Sequence, residues 1–269
     1  MRTLHCCSLP APWVMLSVGL GCGMVLAQSA SAAPSTGSGF TWQNTQESTT
    51  QWGLGAGIGY HQSPYDGVGA KYSPLPLLYF DDKWLHFFAN QLDVKVGRWD
   101  TFSISLRARY ALGDGYKGSD APILSDMQTR KGGIWLGPAV AWQTAFGRLS
   151  VDYLLAGNKG QKAEIELSKD FNYGQFSVEP HIAAAWLSGS NVDYYYGVKP
   201  DEARPGREAY TASASYNLSA GTRFGYRFTE HQSISFDLGV TRLGGGITDS
   251  PLVSETWQPE AKLAYLYHF

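Results

Sequence analysis

Residues 261–269 read AKLAYLYHF, and this stretch decides how the rest of the chain is interpreted. A strand places alternate side chains on opposite faces. One face of this strand is therefore apolar and aromatic and carries Leu263, Tyr265, Tyr267 and Phe269. Chain ends usually fray in soluble domains, whereas a strand in a membrane barrel must be paired along its length because lipid offers no hydrogen bonds. An aromatic final residue favours the barrel, and an ordinary amphipathic edge strand is the alternative.

The same alternation recurs along the chain. Residues 52–60 place Trp52 and Tyr60 at the two ends of an apolar face, with glycine at every second position between them. Further stretches of about ten residues alternate in the same way at 102–110, 134–143, 149–155, 164–171, 176–186, 217–228 and 234–241. Such repetition predicts an all-β fold, a transmembrane antiparallel β-barrel with aromatic girdles. A soluble β-sandwich is the architectural alternative, but it does not explain aromatics at both ends of most apolar faces.

Turn lengths indicate the strand number and orientation. Short turns near 97–100, 145–147, 172–174 and 229–231 alternate with long loops at 112–132, 188–216 and 244–256, with a short segment at 157–160 as the exception. We expect short periplasmic turns and longer external loops. Splitting residues 84–97 at Asn90-Gln91 gives about 12 strands, and 10 remain if Leu75 to Phe80 form a loop.

The N-terminal region has the features of an export signal. Arg2 precedes a mostly apolar stretch from Leu9 to Leu26, and small residues follow at 30–32. This pattern predicts a signal peptide over 1–32 that is removed, a flexible periplasmic arm over 33–51 and the barrel over 52–269. A membrane anchor and a lipoprotein signal at Cys22 are the alternatives.

The amino-acid composition argues against several classes of function. The three cysteines all lie within 1–32, so the predicted mature chain has no cysteine for a disulfide or a metal site. The formal net charge of −2 gives no basic face for nucleic acid. His181 and Glu179 share a strand face, but no third residue completes a catalytic triad. We therefore expect no enzyme activity, no metal and no cofactor.

Charged residues of both signs alternate with the apolar positions and are predicted to face the lumen. They form either a salt-bridge network that braces a narrow barrel or the wall of a water-filled solute path. The candidates are Arg107, Arg109, Asp152, Glu164, Glu166, Glu179, Arg223, Arg227, Asp237 and Lys262. The alternation of side chains predicts that the middle strands form an acidic wall, which faces basic walls on the earlier and later strands.

The longest loop, 188–216, contains Tyr194, Tyr195 and Tyr196. Tyrosines provide large contact area in binding loops, which makes them candidate contact residues. The alternative is that they belong to the outer aromatic girdle.

Several loop motifs resemble one known family. The motifs are Ser63-Pro64-Tyr65-Asp66-Gly67, Leu75-Pro76-Leu77-Leu78-Tyr79, Tyr194-Tyr195-Tyr196-Gly197-Val198 and Thr248-Asp249-Ser250-Pro251. Their order, with the Tyr-x-Phe ending, resembles the MipA/OmpV family of Gram-negative outer-membrane proteins, and the likeness covers essentially the whole mature chain. Outer-membrane barrels often end in a C-terminal Phe preceded by aromatics, so the resemblance also implies that Tyr265, Tyr267 and Phe269 form a signal for the barrel-assembly machinery.

The resemblance implies an integral protein of the outer membrane, in contact with its lipid. One family member interacts with a membrane-bound lytic transglycosylase and is described as a scaffold that links it to a peptidoglycan synthase. Other members are described as porin-like. The expected function is thus a scaffold for peptidoglycan-remodelling enzymes, and the alternative is a porin-like channel for small polar solutes.

Overall fold

A computed structural model describes residues 41–42, 50–111 and 114–269. Twelve antiparallel strands close into a barrel, which confirms the predicted fold and the higher of the two strand counts. The barrel strands are β2 (Gln51–His61), β3 (Lys71–Asp81), β4 (Leu85–Phe88), β5 (Gln91–Trp99), β6 (Phe102–Tyr110), β9 (Ile134–Thr144), β10 (Gly147–Leu155), β11 (Gln161–Ser168), β13 (Phe176–Leu187), β14 (Ser215–Arg227), β15 (Gln232–Arg242) and β16 (Trp257–His268).

The other elements are short. They are the strands β1 (Thr41–Trp42), β7 (Gly115–Tyr116), β8 (Arg130–Lys131) and β12 (Phe171–Tyr173), the helices α1 (Gly189–Tyr196) and α2 (Gly245–Thr248), and the 3-10 turns Pro122–Leu124 and Gly157–Lys159. No helix within the described ranges is long and apolar enough to cross a membrane.

The outer surface of the barrel is apolar because every second residue of each strand points outward. Leu54 and Ile58 of β2 are about half exposed, as are their counterparts on the other strands. The glycines between them face the lumen, where β16 approaches so closely that a Cβ at Gly55 would lie 2.1 Å from the carbonyl oxygen of Tyr265. Apolar residues outside and small or polar residues inside are the pattern of a lipid-embedded barrel.

Strand β16 closes the barrel against β2. The pairing runs from Glu260 opposite His61 to His268 opposite Gly53. Beyond it, the Phe269 N–H donates to the Trp52 carbonyl at 3.0 Å, and the two rings stack with centroids 3.9 Å apart. The seam is therefore hydrogen-bonded to its last residue, as a strand in lipid requires.

The predicted split at Asn90-Gln91 is confirmed, because β4 and β5 form a hairpin around Ala89-Asn90. Leu75 to Phe80 belong to β3 rather than to a loop. Both described ends of the barrel lie on the side of the short turns, and the long loops lie on the other side. Short turns mark the periplasmic side.

The predicted N-terminal segments lie mostly outside the described residues, and the signal peptide over 1–32 stays a prediction. Within the predicted arm, Thr41 and Trp42 pair with Arg98 and Gly97 of β5. This part of the arm is thus a strand on the barrel wall. It pairs with the end of β5 that extends beyond the shorter β4.

Candidate functional site

The first charged cluster of the lumen is centred on Arg107. Its Nε donates to Asp93 Oδ1 at 2.8 Å, and its Nη1 donates to Asp152 Oδ2 at 2.8 Å. Asp93 lies directly opposite on β5, whereas Asp152 lies two strands away on β10. The bond to Asp152 crosses β9 where that strand presents Gly137, the residue opposite Arg107, which has no side chain to stand in the way. All three charged groups are buried, which is tolerable because each is paired.

Arg109 extends this cluster. Its Nη2 lies 3.1 Å from Asp152 Oδ2, and its Nη1 lies 3.9 Å from Glu164 Oε2. The same guanidinium donates to the Gln91 side chain at 3.0 Å. The structure therefore brings together four of the predicted lumen residues in one network.

The second charged cluster is centred on Arg223 of β14. The register places Glu179 of β13 on one side of Arg223 and Asp237 of β15 on the other. The guanidinium donates to Glu179 Oε2 at 2.8 Å and to Asp237 Oδ2 at 3.0 Å. Three directly opposed residues on three strands thus form a ladder along the wall.

Three predicted residues lie outside these clusters. Lys262 pairs at 3.0 Å with Glu260 of its own strand. Glu166 and Arg227 form no ion pair within the described part of the chain. The predicted arrangement of an acidic wall facing basic walls is wrong for the paired groups, since the arginines bind carboxylates of nearby strands along the wall.

A third ionic group was missed by sequence reasoning. Asp81 accepts from Lys95 Nζ at 2.7 Å and lies 3.0 Å from His86 Nδ1. All three residues belong to the β3–β4–β5 region. The short hairpin of β4 and β5 concealed the register that brings these residues together.

The lumen is packed at mid-height. An apolar cluster formed by Leu77, Tyr79, Ala264 and Leu266 fills it on the side of β3 and β16, and these residues are at most 7% exposed. The two arginine clusters lie on other parts of the inner wall, with Arg107 and Arg223 each 5% exposed. Together these buried side chains form a plug that narrows the lumen at this level.

The outer mouth carries a folded cap made of the long loops. Tyr65, Tyr116, Leu124 and Leu252 form its core. Glu202 pairs with Arg130 at 3.0 Å, while the buried Arg207 donates to the carbonyl oxygens of Glu202 and Ser125. Burial raises the pKa of Tyr116 to about 12. The loops are thus fixed by a core of their own.

The three consecutive tyrosines lie inside this cap. Ser188 caps α1 by accepting from the Asn191 N–H at 3.2 Å, and α1 places Tyr195 against Trp135 and Leu154. Tyr196 stacks on Tyr65. Burial raises the pKa of Tyr195 and of Tyr196. Tyr195 therefore serves neither as an exposed contact nor as a girdle residue, and Tyr194, bonded to the Lys131 backbone at 3.3 Å, also belongs to the cap.

A cavity of about 600 Å³ lies between the cap and the plug. Its lining combines charged with apolar side chains and includes His61, Lys71, Leu75, Asp114, Trp135, Lys162, Tyr195 and Lys262. Burial raises the pKa of the Asp114 carboxyl, and the nearby Lys162 opposes this effect. The volume falls in the range of small-molecule sites.

Comparisons with known proteins agree with this architecture. The sequence model of a family described as MltA-interacting protein MipA matches residues 54–269. The MltA-interacting protein of Escherichia coli (strain K12) is 25% identical over 257 residues, which cover 93% of this chain and 98% of that protein. The outer membrane protein OmpV of Vibrio cholerae is 28% identical over 187 residues, which cover 68% of this chain and 69% of OmpV.

Solved structures include distant likenesses. The CymD monoaromatic hydrocarbon channel superposes with a TM-score of 0.40 at 10% identity, covering 84% of this chain and 90% of CymD. The apolar outer face of the barrel and the relatives named as outer membrane proteins indicate an integral protein of the outer membrane. Because the family model spans the barrel from residue 54 to residue 269, the chain belongs to the MipA family of MltA-interacting proteins.

Proposed function

We propose that this protein is an outer-membrane scaffold that binds a lytic transglycosylase, and through it a peptidoglycan synthase, at the periplasmic end of the barrel. The observation that carries the proposal is the family match over residues 54–269, since the family is described by its interaction with MltA. The E. coli relative with that name aligns over nearly its whole length. Assembly of the barrel itself would use the barrel-assembly machinery.

The packed lumen supports a scaffold over the alternative, a porin-like channel for small polar solutes. A channel needs a continuous wet path, whereas Leu77, Leu266, Arg107 and Arg223 are buried inside the barrel. The cap narrows the outer mouth further. Nothing in this arrangement calls for a catalytic group, so we propose a non-enzymatic role.

The periplasmic end offers the contact surface. Its short turns expose aromatic rings, among them Phe146 at 81% and Tyr173 at 67% exposure. Exposed aromatics of this kind are enriched at protein interfaces. The predicted arm starts from the same end, where Thr41–Trp42 pair with β5. The external loops face away from the periplasm and cannot reach a partner there.

Deleting residues 35–50 tests the proposal. We expect the variant to capture less lytic transglycosylase in a pull-down from detergent-solubilised membranes, because the arm supplies part of the contact. A matched control replaces only residues 43–49 with a Gly/Ser stretch of equal length and keeps the β1 pairing. Folding of both variants is checked by heat-modifiable migration on gels. Full capture by a folded deletion variant contradicts a contact through the arm.

A further inference from the structure

The barrel wall has a notch on its outer side next to β3. Toward β2, strand β3 is paired over its whole length from Lys71 to Asp81. Toward β4 the pairing covers only Tyr79–Asp81, and the last ladder bond runs from the Ala89 N–H to the Leu78 carbonyl at 3.2 Å. Beyond that bond, no described residue hydrogen-bonds the backbone of residues 72–76 on this side.

The notch is bounded below and on one side by hydrogen-bonded backbone. The hairpin tip at Ala89-Asn90 forms its floor, and the Asn90 side chain donates to the Tyr110 carbonyl at the outer end of β6. The Tyr110 N–H in turn donates to the Asn90 carbonyl at 2.9 Å. The tip is thus bonded to both neighbouring strands, and β3 continues past it for roughly 20 Å at the usual rise of a strand.

Two prolines adapt β3 to an open edge. In an antiparallel strand the N–H and C=O of one residue point to the same side, and alternate residues share that side. Since the Leu78 carbonyl points toward β4, the backbone groups of Pro74 and Pro76 do so too. Proline has no N–H, so within sheets it lies at edges, strand starts or bulges; β9, β13 and β16 each contain one proline, whereas β3 has two on the same side. Two donors that would otherwise be unsatisfied in lipid are therefore absent, which lowers the cost of leaving this edge open.

The cavity beneath the cap reaches this notch. Pro74 has an exposed, outward-facing side chain and yet lines the cavity, together with the inward-facing Leu75. Leu75 also packs against the apolar cluster of Leu77, Tyr79, Ala264 and Leu266. An apolar surface thus continues from the lipid face of β3 through the notch into the lumen.

The charges near the notch favour an anionic ligand. Lys71 lies at the outer end of β3, lines the cavity and has no ion-pair partner in the described part of the chain. Lys162 lies further inside, 4.5 Å from the centre of the Trp135 ring. Lys262 is already neutralised by Glu260, and Asp114 is the other acidic residue of the lining.

We propose that the notch is a lateral opening through which a single-tailed anionic amphiphile passes from the outer leaflet into the cavity. Its head group would bind at Lys71, near the membrane surface, and its tail would lie along Leu75, which packs against the apolar cluster of Leu77 and Leu266. This inference does not depend on the scaffold function, because it concerns the outer half of the barrel and the scaffold contact concerns the periplasmic end.

Single-cysteine labelling tests whether acyl chains enter through the notch. The three native cysteines all lie within residues 1–32, so a cysteine placed in the barrel is unique in a chain that lacks this segment. Leu75→Cys carries a bimane label, and the protein is reconstituted in bilayers whose lipids bear a nitroxide on the acyl chain. The matched control is Thr241→Cys, which lines the same cavity behind the fully paired strands β14, β15 and β16.

We expect several-fold stronger quenching at Leu75→Cys than at Thr241→Cys, approaching that of Leu78→Cys on the lipid face. Equal, weak quenching at Leu75→Cys and Thr241→Cys overturns the proposal and means that a chain segment or a second copy covers the notch. Ser73→Cys, on the same inward face, replaces Leu75→Cys if that variant does not fold.

Competition tests the ligand class. Dodecanoate should slow maleimide labelling of Leu75→Cys several-fold, whereas dodecyltrimethylammonium should not, and Lys71→Gln should remove the difference. Equal protection by both amphiphiles, or protection by neither, refutes an anionic ligand.

Discussion

Replacing Arg223 with methionine should destabilise the barrel more than any other single change at a lumen arginine of β14. The guanidinium lies between Glu179 and Asp237, at 2.8 Å and 3.0 Å, and is 5% exposed. Methionine fills similar space but leaves the buried Asp237 and the partly buried Glu179 facing each other without a cation. Removing one partner of a buried ion pair costs about 3–5 kcal/mol, a large share of a typical unfolding free energy of about 5–15 kcal/mol.

The measurement is the urea midpoint of unfolding in detergent micelles or small vesicles, read by tryptophan fluorescence and by heat-modifiable migration. Arg227→Met is the matched control, since it removes the same side chain from the same strand and face. Arg227 forms no ion pair in the described part of the chain, so its loss should cost under about 1 kcal/mol. Combining Arg223→Met with Glu179→Gln and Asp237→Asn should restore most of the stability.

Equal midpoints for Arg223→Met and Arg227→Met would refute the argument that the ladder braces the wall. A triple variant no more stable than Arg223→Met would also contradict it, because removing the orphaned charges is what should rescue the fold. Both results would indicate that the lumen is wet enough to solvate the carboxylates, which is the condition for a solute path.

Two further predictions concern assembly and conduction. Phe269→Ala should reduce the folded, heat-modifiable fraction in outer membranes more than Phe146→Ala does. Phe269 stacks on Trp52 at the closing seam, a contact of about 0.5–1.5 kcal/mol, while Phe146 is 81% exposed in a turn. Equal levels of both variants would count against an assembly role for Phe269. In planar bilayers the wild-type protein should give no discrete conductance steps, since buried side chains narrow its lumen. Reproducible steps whose ion selectivity changes in the Arg223→Glu variant would favour the porin-like alternative.

The lipid-facing half of the barrel could be predicted from the sequence because lipid imposes one rule on every strand. Each outward residue meets the same apolar environment, so a period of two is visible in residues 52–60 and in each later stretch. The pairing of β2 with β16 fits the same rule, since without it the first and last barrel strands would each leave a full-length edge open.

The lumen could be predicted only in part. The alternation of side chains along a strand shows which residues face the lumen, but it does not show which residues they pair with. Arg107 reaches Asp152 across β9 because Gly137 and the register between three strands allow it. A one-residue shift would have removed that contact. The cap was missed for a different reason: α1 has only eight residues, and a helix this short is stabilised by packing against Trp135 and Tyr65 rather than by its own sequence.

The two prolines of β3 connect the sequence with the least expected feature of the wall. Within a closed barrel every strand has two neighbours, so a proline fits only where no ladder N–H is needed, and Pro138, Pro180 and Pro259 occupy single positions of this kind in other barrel strands. Pro74 and Pro76 lie two residues apart, so their backbone groups point to the same side of β3. On that side, the pairing with β4 has already ended. Random placement would put a proline as readily on the side that pairs with β2, where it would break the ladder. The shortness of β4 and the two prolines of β3 thus agree with each other, since both belong to the part of the wall where the lateral opening is proposed. The proposed opening would connect the membrane directly with the cavity beneath the cap, which Pro74 and Leu75 both line.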